Sequence, residues 1–91
     1  MPKKGANRRN WLAATRVSKG LDQKDVATRA NEILIKRYPN DENMRLSTNA
    51  ISKYELGTMT PTEERAKAVA EVLGFNWIRF KGGEERKGGI G

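Results

Sequence analysis

Four residues, Gly20, Pro39, Gly57 and Gly74, cut this chain into short pieces, each with apolar residues at helical spacing. Recurrence at three and four residues puts those side chains on one face of a helix, and no strand-like alternation competes with it. Helix 1 is expected from about Arg8 to Ser18, with Asn7 or Asn10 as cap, Leu12 and Val17 buried, and Trp11 flanking them. Asp22 can cap a second helix that begins at Gln23. Its stripe of Val26, Ala27, Ala30, Ile33, Leu34 and Tyr38 makes it long, reaching about Arg37 before Pro39 ends it. The loop PNDENMRL follows, in which Met44 and Leu46 tuck inward. Thr60-Pro61-Thr62-Glu63 offers a capping box with proline at the first helical position. The helix it starts runs to Leu73, burying Ala66, Val69, Ala70 and Leu73. A last short helix, around Asn76 to Phe80, carries Trp77, Ile78 and Phe80. The expected architecture is all-α: five helices over residues 8–80, a flexible arm at 1–7 and a flexible glycine-rich tail at 81–91.

Between the loop and the capping box lies STNAISKYELG, Ser47 to Gly57. Ser47 or Thr48 suits its N-cap, and Gly57 suits a left-handed residue after its last turn. Ile51, Tyr54 and Glu55 fall on one face. Thr48, Asn49, Ser52 and Lys53 fall on the other, with hydrogen-bonding groups and one positive charge but no acid. A short polar face of that kind is what base-edge reading requires, and a plain solvated face is the competing interpretation.

Charge bears on that choice. The net charge is +7, and residues 1–19 contain Lys3, Lys4, Arg8, Arg9, Arg16 and Lys19 without one acid. Residues 20–60 balance six basic against six acidic side chains, and 61–91 hold six against five. A basic end of this sort attracts nucleic-acid phosphates. An anionic membrane suits it less, because the arm lacks apolar residues to insert. No cysteine or histidine is present, which removes disulfides, thiolate metal sites and imidazole bases. Glu63-Glu64 complements a helix dipole and Glu84-Glu85 lies in the tail, so neither looks like a tuned catalytic pair. The expectations are no enzyme, no cofactor, no metal, no membrane, no evident small-molecule ligand, and a cytoplasmic location.

RVSKGLDQKDVA, AISKYELGTMTP and AKAVAEVLGFNW, in that order, resemble the phage repressor/Cro-type helix-turn-helix regulators, also called xenobiotic-response-element-like. The resemblance implies double-stranded DNA as the partner and Thr48, Asn49, Ser52 and Lys53 as the base readers. It implies an ion pair between Arg16 and Glu55 that fixes the angle of the recognition helix, and a phosphate-clamping role for Gln23. Lys3, Lys4, Arg8 and Arg9 are candidate backbone contacts through the arm, and Arg45 and Thr58 through the loops on either side of the recognition helix.

The chain departs from that family in two respects: relatives often carry basic residues after the recognition helix where this chain has Thr58, Met59 and Thr60, and the entry to that helix is longer. Gln23 and Ser47 are about a dozen positions further apart than usual, which the apolar stripe assigns to a longer second helix (Asn31 to Tyr38) and a loop (Pro39 to Leu46). Ile33, Leu34, Ile35 or Tyr38 must then pack on something, either this chain's own loop or a partner protein. The second option supports an alternative function, a protein-interaction module such as an antitoxin or adaptor. Phe75, Trp77 and Phe80 are read as core sealing helices 1 and 4, with a homodimer surface as the alternative. The leading expectation is a sequence-specific DNA-binding regulator, a small repressor.

Overall fold

The computed structural model describes residues 8–81. Four α-helices follow one another: α1 (Asn10–Ser18), α2 (Gln23–Arg37), α3 (Thr48–Leu56) and α4 (Glu63–Leu73). The fifth expected helix is a 3-10 segment, Trp77–Lys81. No strand occurs among the described residues, so the all-α class holds. The arm and the tail beyond Lys81 lie outside the described residues.

Local chemistry sets most helix ends. Asp22 accepts from the Asp25 amide at 2.8 Å while the Asp25 carboxylate accepts from the Asp22 amide at 3.0 Å, a reciprocal capping box. The Asp25 amide is the main reason the Asp22 carboxyl sits below its ordinary pKa. Ser47 caps α3 by accepting from the Ala50 amide at 3.0 Å, and Gly57 closes it at φ 82°, a backbone conformation that favours glycine.

Two caps differ from expectation. Helix α1 starts at Asn10, inside which that asparagine is an ordinary helical residue, and its cap position, Arg9, makes no side-chain cap bond. Asn7 lies outside the described residues. Helix α4 has Thr62 at its cap, so Pro61 precedes the cap instead of opening the helix, and no capping box forms. The two hydroxyls meet arginines: Arg9 Nη2 donates to the Thr60 hydroxyl at 3.0 Å, and Arg65 Nη1 to the Thr62 hydroxyl at 3.2 Å.

The core gathers Leu12, Val26, Leu34, Ile51, Tyr54, Val69 and Leu73, all essentially inaccessible to water. Helices α2 and α4 share the most extensive contact, and both bury alanines (Ala27 and Ala30; Ala66, Ala68 and Ala70) that permit close approach. Val17 was expected inside but is 62% exposed. From Leu12 the inward face of α1 passes to Arg16, four residues on, and Val17 is rotated away from it. Phe75 and Phe80 form the expected seal, packing edge-on with Trp11 (centroids 5.1 and 5.7 Å) and, through Phe80, with Tyr54 (6.0 Å). Trp77 stands beside this cluster, half-buried, with the amines of Lys67 and Lys81 over its ring at 5.5 and 5.2 Å. Ile78 is exposed.

The chain's own loop covers the longer α2. Leu34 and Leu46 are buried, Ile33, Tyr38 and Met44 half-buried, and Ile35 alone of the α2 stripe's end stays exposed. Asn31 fastens the loop: its Nδ2 donates to the Leu46 carbonyl at 2.8 Å and its Oδ1 accepts from the Leu46 amide at 2.7 Å. Arg65 of α4 donates to the carbonyls of Asn43 (2.6 Å) and Arg45 (3.4 Å), and Arg37 pairs with Glu71. Asn31→Ala leaves both Leu46 backbone groups without these partners and is expected to lower unfolding free energy by about 1–3 kcal/mol in urea titration. A loss below about 0.5 kcal/mol, the scale of an ordinary surface change, would show that the loop is held otherwise.

Candidate nucleic-acid interface

Helix α3 has an inner and an outer face, and the inner one centres on Glu55. It is the one buried charged residue among those described, 8% exposed. Arg16 Nε donates to Glu55 Oε2 at 2.6 Å, and Arg16 Nη2 to Oε1 at 3.3 Å. Gln23 Nε2 donates to Oε1 at 2.9 Å, while Arg16 Nη1 reaches the Leu21 carbonyl at 3.0 Å. One carboxylate therefore joins α1, the start of α2 and α3. Fork-to-carboxylate pairing of this kind fixes orientation as well as distance. The expected Arg16–Glu55 pair is present, and Gln23, expected on phosphate, contributes an amide N–H to the same cluster.

The last turn of α3 has carbonyls without intrahelical partners, as every helix end does. Arg9 takes them. Its backbone amide donates to the Glu55 carbonyl at 2.8 Å, and its Nη1 to the carbonyls of Tyr54 (2.7 Å) and Met59 (3.1 Å). The guanidinium lies over Phe80, 5.5 Å from the ring centre. A cation at a helix C-terminus is also favoured by the dipole. Burial lowers the Arg9 pKa from its ordinary value, with the Tyr54 side chain acting in the opposite direction. Arg9 was placed among the phosphate contacts; the structure directs its guanidinium to backbone carbonyls and the Thr60 hydroxyl. The clue in the sequence was the unmet demand of those carbonyls, not the charge of the arm.

On the outer face Thr48, Asn49 and Lys53 are exposed and Ser52 is half-buried. Leu56, 41% exposed, continues the Thr48–Ser52 ridge by one more turn, a residue that the polar pattern passed over and the four-residue spacing would have found. Thr58 is exposed just beyond Gly57, its hydroxyl 3.4 Å from the Lys53 carbonyl. Arg8 is exposed at the C-terminal end of α3, brought there by the Arg9–Glu55 backbone bond. Arg45 lies at the opposite end, half-buried, with Nη1 near the carbonyls of Asp41 and Met44 at 3.3 and 3.4 Å. Lys3 and Lys4 lie outside the described residues. Among the described residues no group of acidic side chains could hold a metal ion, and no helix is long and apolar enough to cross a membrane.

Residues 41–78 match the helix-turn-helix family model. The resemblance read from the sequence is therefore shown over this segment, which contains α3 and α4. The match begins in the loop before α3 and leaves out α1 and the lengthened α2. No curated protein and no solved structure matches the chain.

Truncation at the Glu55 cluster has a clear expected cost. Glu55→Ala strands Arg16, whose side chain is 15% exposed, and should destabilise the fold by about 3–5 kcal/mol in denaturant unfolding. Arg16→Met combined with Glu55→Leu removes both charges and should recover part of that loss. A double variant no better than the single one would locate the cost in packing instead of in an unpaired charge.

Proposed function

We propose that this helix-turn-helix chain is a sequence-specific double-stranded DNA-binding regulator, acting as a repressor by occupying its site. The observation that carries the reading is the division of α3: its inner face is clamped through Glu55 while Thr48, Asn49 and Lys53 stay exposed, with Ser52 half-buried between them. In the major groove Asn49 suits adenine N6/N7, Lys53 suits guanine O6/N7, and the methyl groups of Thr48 and Leu56 suit thymine. Gln23 keeps its amide oxygen and one N–H beyond the Glu55 bond, and lies at a helix N-terminus, where an anion is favoured. Thr58, Arg8, Lys3, Lys4 and Arg45 are the remaining backbone contacts. Arg9 serves as a positioning residue, holding the C-terminal end of the reading helix. Cover of the α2 extension by Leu46 and Met44 favours this reading over an adaptor that needs that surface for a partner protein.

Selection of sites from random duplex DNA tests it: a defined consensus is expected, and sequence-independent binding would reduce the role to electrostatics. On the selected site, Asn49→Ala should weaken binding by about 1–3 kcal/mol and leave non-specific binding nearly unchanged. Equal losses on both kinds of DNA would remove Asn49 from the base readers. Replacing Lys3, Lys4 and Arg8 by Gln should flatten the plot of log K against log salt by about two to three units, roughly 0.9 for each phosphate that is no longer neutralised. An unchanged slope would take the arm off the phosphates.

A further inference from the structure

The flank of α3 that turns away from the reading face borders a solvent-open cavity of about 470 Å³, between the loop before α3 and the start of α4. That volume is within the range of small-ligand pockets. Its walls combine apolar surface from Leu46, Met59 and Pro61 with the side chains of Arg45, Arg65 and Tyr54, and no acidic residue lines it.

Tyr54 is the informative member. The residue is 2% exposed, yet its hydroxyl has no hydrogen-bond partner among the described residues. No fully buried side-chain polar atom there lacks a partner, so the hydroxyl must reach open space, and the cavity is the space that Tyr54 lines. Burial pushes the phenol pKa up, while the charges of Arg65 and Arg9 draw it back, which puts two guanidinium groups in the vicinity of that hydroxyl. Arg65 uses three of its nitrogens on Asn43, Arg45 and Thr62 and so stands fixed. Arg45 makes two long bonds from a single nitrogen and keeps donors free. Thr62 gives the N-terminus of α4 no side-chain cap, and Thr62 borders the same cavity, which adds the positive end of a helix dipole.

We propose that this cavity binds a small organic anion, a phosphate monoester with a compact apolar body. Arg45 and the α4 N-terminus neutralise the phosphate, Tyr54 donates one hydrogen bond, and Met59 and Pro61 take the apolar part. A backbone phosphate of DNA is the other source of the same chemistry. Ser47, Ala50 and Tyr54 lie about 160° around α3 from the centre of the Thr48, Asn49, Ser52 and Lys53 face, so a duplex on that face leaves the α3 wall of the cavity uncovered and shares only Arg45, at the end of the loop before α3, with the anion. The preference for a free anion thus rests on the proposed reading face, whereas binding of the anion itself does not.

Calorimetric titration of the full chain with phenyl phosphate tests the site. One equivalent should bind, Tyr54→Phe should weaken binding about three- to tenfold, and Arg45→Gln about tenfold or more. Tyr54→Phe should leave the thermal unfolding midpoint unchanged, because the hydroxyl makes no bond within the fold. Absence of binding, or equal affinity in all three proteins, overturns the proposal. Repeating the titration with duplex DNA bound separates the two sources: retained binding supports a free anion, and exclusion by the duplex assigns the cavity to a backbone phosphate and overturns it.

Discussion

The Glu55 carboxylate is the point from which this small fold is organised. A charge that is almost fully buried is costly unless it is paired and hydrogen-bonded, and here two residues from different segments meet that demand. Arg16 supplies two N–H groups from α1 and Gln23 one from α2, so the position of α3 is set by what Glu55 must have around it. The same cluster removes two helix faces from water and leaves the opposite side of α3 with no structural duty. A reading face requires that division: rigid on the inside, unoccupied on the outside.

Orientation also depends on the two ends of α3. At its C-terminal end Arg9 collects the carbonyls of Tyr54, Glu55 and Met59. At its N-terminal end Asn31 pairs with both backbone groups of Leu46, and Arg65 holds the carbonyls of Asn43 and Arg45. A loop as long as the one before α3 would ordinarily let a helix drift, and these bonds to α2 and α4 replace the constraint that a tight turn would supply. The charge balance changes accordingly. Arg9 and Arg16 belong to the basic N-terminal segment, but the guanidinium groups of both are engaged in bonds within the protein, so fewer cations are available to a partner than the composition suggests.

Much of this was legible in the residues. The extents of α2 and α3 followed from Asp22, Pro39, Ser47 and Gly57, because capping and left-handed glycine are local effects. The Arg16–Glu55 pair came through the family resemblance, and the spacing of Thr48, Asn49, Ser52 and Lys53 gave the outer face directly. What escaped was the set of long-range side-chain bonds to backbone. Asn31 looked like a polar residue in a helix, Arg9 like one more basic residue in an arm, and Thr60-Pro61-Thr62-Glu63 like a local box. Asn31, Arg9 and Thr60 found their partners in distant segments, and Thr62 found its own in Arg65, one turn on. Val17 was misplaced for a related reason: an apolar residue was preferred at the inward position that Arg16 takes to reach Glu55.

We propose that DNA meets the unclamped face of α3 while the inner cluster stays in place. Titrating the isotopically labelled chain with its selected duplex, and following amide resonances, tests this most directly. Large shifts are expected at the backbone amides of Thr48, Asn49, Ser52 and Lys53 and at the Asn49 side-chain amide, with the α2 extension from Ile33 to Tyr38 unmoved. Shifts concentrated on that extension, with α3 unaffected, would contradict it.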